Sequence, residues 1–468
     1  MTLSKKDVLW SYIAQFLRLA SGILILPLVL RMLSTEEIAL NYLLTAVATL
    51  VALLDFGFSP QFGRNFTYVF CGAQELRKEG VAQVDKSANI NYTLLLTIIT
   101  TAKYVYLRIA ILVVILLATL GTWYIHTVTQ GFASVPYTGA VWCLAIVSSF
   151  FNFYYAYFDA LLTGRGLITE AKKAMVLAKL VYIILATGFL YLGLGLLGIM
   201  VAGLISAFVY RAVSWYYFYD KDFSARIAGI EVDLEARKQL FRTLWPNARK
   251  LGLVFLSAYA INNFSMFLAG LFLPAADIAS YGLLMQLVGI ITAVSSTLFM
   301  SFNPTFSALR TSGERERLYR VFAFSMNVYY LMFISSAVFL ILAGPQVLQL
   351  LGANAMLPSA TIMIAYCTVI FLEGNHSNFA ALIVANNQVP FLKSSIIAGL
   401  FVVLGDYLVL AYTTQGVLGL ILVQGLAQLC YANWKWPLVI FKEANLSVVN
   451  FLSLGFEESL NKMRSIYA

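Results

Sequence analysis

Apolar stretches long enough to cross a bilayer recur twelve times along this chain, and that feature leaves little freedom in what it can fold into. Their approximate limits are 8–30, 38–56, 103–125, 138–161, 172–193, 196–219, 250–272, 278–300, 321–344, 358–384, 392–412 and 417–439. A hydrocarbon core about 30 Å thick takes roughly 20 residues of helix, and irregular backbone is not tolerated against lipid. The chain is expected to be all-α, a polytopic membrane protein of twelve transmembrane helices. Composition agrees: 61% of its 468 residues are hydrophobic and only 11% charged, where a soluble chain carries about 25% charged residues.

The connections alternate in character. Segments 57–102, 162–171, 220–249, 301–320, 385–391 and the tail are polar or basic, whereas 126–137, 194–195, 273–277, 345–357 and 413–416 are short and almost uncharged. Of the 31 Lys and Arg, 26 fall in the first set counted with the N-terminus and the immediate span ends, Arg31 alone, just after the first span, falls with the second, and Arg18, Arg108, Lys179 and Arg211 lie inside spans. The positive-inside rule then places both termini in the cytoplasm. Lys5-Lys6 followed by an apolar run has the charge order of a signal peptide, but the run extends to Leu30 with no small-residue cleavage site, so it reads as a retained first span. The formal charge of +9 is spread between spans, which suits orientation and not nucleic acid.

Little material for catalysis is present. Four cysteines, Cys71, Cys143, Cys367 and Cys430, have no paired spacing. With only His126 and His376 there is no metal or triad constellation, and no Gly-rich loop precedes a Lys-Ser/Thr pair. No cofactor, metal or catalytic activity is expected, and movement of a solute across the membrane is the default. The outer loops are too small for a receptor ectodomain.

The halves echo each other. Ile38-Ala39-Leu40-Asn41-Tyr42-Leu43-Leu44 resembles Ile278-Ala279-Ser280-Tyr281-Gly282-Leu283-Leu284, and Ser59-Pro60-Gln61-Phe62 resembles Asn303-Pro304-Thr305-Phe306. Ala160 to Gly166 with Lys172 parallels Ala381 to Asn387 with Lys393, and Leu197-Gly198-Ile199 parallels Leu418-Gly419-Leu420. Six spans make one unit, so the repeats are parallel and expected to be related by an axis along the membrane normal. The domains read as 1–235, a six-helix lobe with a cationic interior, and 236–468, a six-helix lobe with acidic and polar residues in mid-span.

Two short motifs carry a family resemblance. Arg31-Met32-Leu33-Ser34-Thr35-Glu36-Glu37-Ile38-Ala39 is similar to an L-G/S-x-E-E/D-aromatic-G signature after the first span, and Asp55-Phe56-Gly57-Phe58-Ser59 with Arg64 to a D-x-G-x-S/G…R stretch after the second. These resemble Wzx-type O-antigen flippases of the multidrug/oligosaccharidyl-lipid/polysaccharide (MOP) exporter superfamily, with Ile38 and Ala39 departing from the aromatic and Gly. The resemblance implies an undecaprenyl-pyrophosphate-linked oligosaccharide as cargo and the bacterial inner membrane as location. It further implies membrane lipids and the polymerase and chain-length regulator of the same pathway as partners. Ser34 and Glu37 also read as a capping box, which needs no family.

Intramembrane charge marks the candidate site, because a charged side chain at a span centre costs about 2.5–3.5 kcal/mol. Arg18, Lys179 and Arg211 would give the first lobe a cationic wall suited to pyrophosphate, each with a structural ion pair as its alternative. Aromatic clusters at 150–155 and 215–217 suit sugar stacking or an interfacial belt. In the second lobe Glu373, His376 and Asp406 are candidates for cation coupling, against a buried carboxylate satisfied by Asn375 or Asn378. Asp55 and Arg64 read as a gate or as an ion pair holding the inner loop. A drug-cation antiporter of the same superfamily and a membrane enzyme of glycan assembly remain the alternatives to a flippase.

Overall fold

In a computed structural model, residues 5–76, 90–384 and 392–467 are described, and among them every long element is helical and no strand occurs. The chain divides into two compact units, Met1–Leu256 and Ser257–Ala468. The expected boundary at 235/236 falls at the start of the helix that joins them.

The first unit holds α1 (Lys5–Met32), α2 (Thr35–Ala52), α3 (Phe58–Phe70), α4 (Tyr92–Leu116), α5 (Thr122–Val128), α6 (Thr138–Tyr154), α7 (Tyr157–Gly164), α8 (Ile168–Tyr191), α9 (Gly195–Phe218), α10 (Lys221–Ile227) and most of α11 (Leu234–Asn262). The second holds α12 (Phe264–Phe272), α13 (Ala275–Ser301), α14 (Asn303–Ser312), α15 (Arg315–Leu351), α16 (Ala360–Val384), α17 (Leu392–Tyr412), α18 (Gly416–Leu429), α19 (Ala432–Ala444) and α20 (Val448–Tyr467). Ten helical stretches are long and apolar enough to span, three of them built from consecutive helices: α4–α5, α6–α7 and α18–α19. The end of α11 and α12, bent by 44° at Asn263, make an eleventh. Helix α16 has the length, at 25 residues, and misses the apolar set because Glu373-Gly374-Asn375-His376-Ser377-Asn378 interrupts it.

The repeat has a structural basis. In each unit a short helix follows the second span, α3 and α14, and each buries the phenylalanine that matched in sequence, Phe62 and Phe306. The sixth span of each unit opens on a glycine with a left-handed backbone, Gly195 (φ 53°) and Gly416 (φ 52°), a conformation that costs other residues more. Gly198 and Gly419, one turn later, sit where a Cβ would overlap Phe189 of α8 and Val409 of α17. Glycine there lets the last two helices of each unit pack closely.

The first unit's core gathers at one end, where α3, α7, α10 and the start of α4 meet. Phe58, Phe62 and Phe66 of α3, Ile98 and Tyr106 of α4, Phe158 and Leu161 of α7, and Phe223 of α10 form one buried cluster, with Leu240 and Leu244 of α11 closing it. Phe241 and Trp245 of α11 each stack on Phe58 at 5.9 Å, so the linker helix lies against this end instead of running free through solvent.

Candidate functional site

Helices α1, α8 and α9, which carry Arg18, Lys179 and Arg211, are neighbours: α8 packs along both others. The side chain of Arg18 lies outside the described residues. Its backbone can be placed, because Lys173 of α8 sits over the Trp10 ring of α1 at 5.6 Å. Both helices leave that point in the same direction at 1.5 Å per residue, which brings residue 18 roughly level with Lys179. The Lys179 ammonium lies 5.6 Å from the Tyr182 ring.

Arg211 is lower on α9. The Ser206 hydroxyl donates to the Ala178 carbonyl at 2.8 Å, which aligns residue 206 with Lys179's level and puts Arg211 about 9 Å nearer the inner end. The three positions therefore lie on adjoining helices at two different levels and not as a single fork. Arg211 packs against the Tyr210 ring at 5.0 Å, and its Nη1 is buried with no hydrogen-bond partner among the described residues. Asp159 of α7, the acid nearest in sequence logic, instead accepts from the Tyr210 hydroxyl. A buried, unpartnered N–H of a charged group costs about 1–3 kcal/mol or more, and an anion would relieve it. Beside α9 the aromatic run of α6 forms a ladder, Phe150 stacked on Tyr154 at 5.9 Å and Phe151 on Tyr155 at 6.1 Å, while Trp215 and Tyr216 are exposed.

Asp55 and Arg64 do not meet. The Asp55 carboxylate accepts from the Tyr106 hydroxyl at 2.8 Å and from the Ser59 amide at 3.1 Å, capping α3 and tying it to α4, and Arg64 is exposed. In the other motif the capping box is present, with Ser34 and Glu37 bonded reciprocally at 3.0 and 3.2 Å. Glu37 does more: its Oε1 accepts from the Leu196 amide at 2.9 Å, so one carboxylate serves the N-termini of α2 and α9, where helix dipoles favour it.

The polar residues of α16 fan out to different helices. Glu373 Oε2 accepts from Gln424 of α18 at 3.2 Å, and Asn262 and Gln428 also reach its carboxylate. Gln424 reaches Asn262 at 3.2 Å in turn, so this amide group sits at the break between α11 and α12. His376 turns away to Asn433 of α19 at 2.7 Å, and Asn375 accepts from the Tyr330 hydroxyl at 2.6 Å. Three residues apart in sequence, Glu373 and His376 thus serve different networks. Asp406 is fully buried: Oδ2 accepts from Ser265 of α12 at 2.7 Å, and Oδ1 has no hydrogen-bond partner among the described residues. Tyr281 shares Ser265 and meets the Tyr366 ring of α16 edge-on at 6.1 Å, which leads back towards Glu373. Gln424 and Gln428 were not singled out from sequence, although two amides four residues apart in an apolar run occupy one helix face. No cluster of three His, Cys, Asp or Glu suited to a metal occurs among the described residues; the oxygen atoms of Glu373, Asn262 and Asp406 suit a proton or a monovalent cation.

No protein-family model and no curated protein sequence matches the chain. Solved structures do. An inward-facing multidrug resistance MATE family transporter of the MOP superfamily matches at TM-score 0.62 and 16% identity, over 92% of this chain and 95% of its own. The lipid II flippase MurJ, in an inward closed conformation, matches at 0.62 and 13%, over 98% and 91%. The MATE multidrug transporter DinF-BH matches at 0.56 and 15%, over 95% of each chain. At these identities the likeness is one of fold alone: the chain has an all-helical fold similar to those of these transporters.

Proposed function

We propose that this protein is a flippase that moves an undecaprenyl-pyrophosphate-linked oligosaccharide from the inner to the outer leaflet of the bacterial inner membrane by alternating access. The observation that carries the reading is Arg211: a guanidinium nitrogen buried without a partner, on one of three adjoining helices that each bear a cation. Pyrophosphate oxygens match guanidinium N–H groups in charge and geometry, and the aromatic ladder of α6 supplies faces for sugar rings. Glu373, Asp406 and the surrounding amides would load and release the coupling cation. One of the structural neighbours, MurJ, is itself a lipid II flippase, which supports a lipid cargo for this fold. The termini face the cytoplasm in this reading, and the polymerase and chain-length regulator of the pathway are its partners.

A second reading, export of organic cations as in the MATE neighbours, draws on the acidic second unit. The cationic first unit opposes it, since like charge repels such cargo. In a strain whose surface glycan depends on this protein, Arg211→Gln and Arg18→Ala are each expected to lower surface glycan about tenfold or more, the loss of one charged hydrogen bond, at unchanged levels of inserted protein. Full surface glycan in both variants, or drug sensitivity on deletion with glycan intact, overturns the flippase reading.

A further inference from the structure

On the inner half of the first unit two arginines converge on one ring. The Arg108 guanidinium carbon lies 4.1 Å from the centroid of Tyr104, one turn earlier on α4. The Arg237 guanidinium carbon, from the first turn of α11, lies 5.5 Å from the same centroid. The two cations are therefore within about 10 Å of each other, and among the described residues no carboxylate forms an ion pair with either. Two like charges brought together by elements 129 positions apart in sequence are not a by-product of local helix geometry. A guanidinium held near an aromatic ring by its charge keeps N–H groups with which to donate to an anion.

The surroundings say what the edges face. Tyr104, Leu107, Arg108, Ile111, Leu112 and Ile115 are all exposed and recur at helical spacing, one stripe along α4. A stripe of exposed leucine and isoleucine is where α4 meets acyl chains. Arg108 lies five residues inside the expected start of this span, about 7.5 Å along the helix. That is the depth at which arginine and tyrosine anchor at the headgroup level. Arg237 reaches the same level from the linker helix, which carries Lys238, Arg242, Arg249 and Lys250 besides.

We propose that Arg108 and Arg237, splayed on Tyr104, form a binding site for the phosphate of an anionic lipid headgroup in the inner leaflet, on the lipid-facing side of the first unit. Basic residues at this level attract anionic lipid, and the paired guanidiniums add fixed geometry. The headgroup neutralises both arginines and fastens the start of α11 to α4. The phosphate belongs to a bilayer phospholipid or to a polyprenyl diphosphate arriving laterally. The site does not rest on the cargo reading, because a drug exporter would bind the same headgroup here.

The test uses the full-length purified protein in neutral detergent, with the thermal unfolding midpoint read during titration of dioctanoyl phosphatidylglycerol, dioctanoyl phosphatidylcholine or farnesyl diphosphate. Phosphatidylglycerol is expected to raise the midpoint and phosphatidylcholine to leave it in place. Arg108→Gln or Arg237→Gln should raise the half-saturating phosphatidylglycerol concentration about threefold and the double variant about tenfold, while Tyr104→Phe keeps the wild-type value. Farnesyl diphosphate binding tenfold tighter than phosphatidylglycerol, with the same loss in the variants, identifies a polyprenyl diphosphate as the occupant; equal or weaker binding identifies a phospholipid. The proposal falls if phosphatidylcholine acts as phosphatidylglycerol does, or if the double variant titrates as wild type. Should the double variant not fold, a wild-type titration in the exposed Arg108→Gln variant alone overturns it.

Discussion

At Glu373 one carboxylate meets the amides of Gln424 and Gln428 from α18 and of Asn262 from α11, an arrangement that holds a charge or a proton without an ion pair. In vesicles under an imposed proton gradient, Glu373→Gln is expected to transport lipid-linked oligosaccharide at a rate that no longer responds to the gradient, since the amide keeps the hydrogen bonds and loses the titration. A wild-type response places coupling elsewhere. Asp220, outside the membrane, makes a different pH statement. It caps α10 through the Phe223 amide at 2.7 Å and pairs with Arg165 at 2.6 Å, and these hold its carboxyl below the ordinary range. A depressed pKa contributes stability that is complete above the unfolded value near 3.9 and is lost as pH falls through the folded value. The protection of the α10 amides relative to their intrinsic exchange rates should therefore be unchanged from about pH 8 to pH 5 and fall only on stronger acidification; loss of protection near neutral pH contradicts this role. Single intramembrane charges were legible in the sequence because their insertion cost makes them conspicuous. Their partners were not: Asp55 and Tyr106 stand 51 residues apart, and nothing in composition announces such a pair.

Among the elements, the spans were legible for a plain reason, that length and apolarity are themselves the constraint a bilayer imposes. Breaks were not. The interruption at Asn263 is marked only by the Asn262-Asn263 pair, which reads as polar interior, and the π-turn Leu117–Gly121 and the break between α6 and α7 carry no charged residue. The surface helices α3, α10, α14 and α20 were read only as polar loops or tail, because short amphipathic pieces lack the length that marks a span. Gly198 and Gly419 show the opposite case, a sequence match that turns out to be a packing device. Gly198→Leu or Gly419→Leu forces the paired helices apart, an overpacking cost of about 1–3 kcal/mol. Each variant should show a lowered unfolding midpoint in detergent, whereas Gly203→Leu, where nothing lies within 4 Å of a Cβ, should unfold as wild type. Equal midpoints in all three would remove close approach as the reason for these glycines.

For the molecule as a whole, the map of spans fixes which face each connection meets. A reporter fused after Asp277 should read as outside and one after Gly313 as inside; reversal at either site discards the map and the transport reading built on it. The three-residue turns Leu192-Gly193-Leu194 and Thr413-Thr414-Gln415 bear on how the chain reaches the membrane at all. With so short a tether, α8 cannot settle in the bilayer while α9 waits outside, and the same holds for α17 and α18. Each pair must be released from the translocation machinery as one hairpin, with its glycine contact already closed. The insertion cost of Lys179 and Arg211 is then borne once, by two helices that shield each other, and Asp406 enters lipid only alongside Gln424 and Gln428. Biogenesis therefore proceeds in steps of two at the end of each half, and a mutation that lengthens either turn would expose these side chains to lipid one at a time.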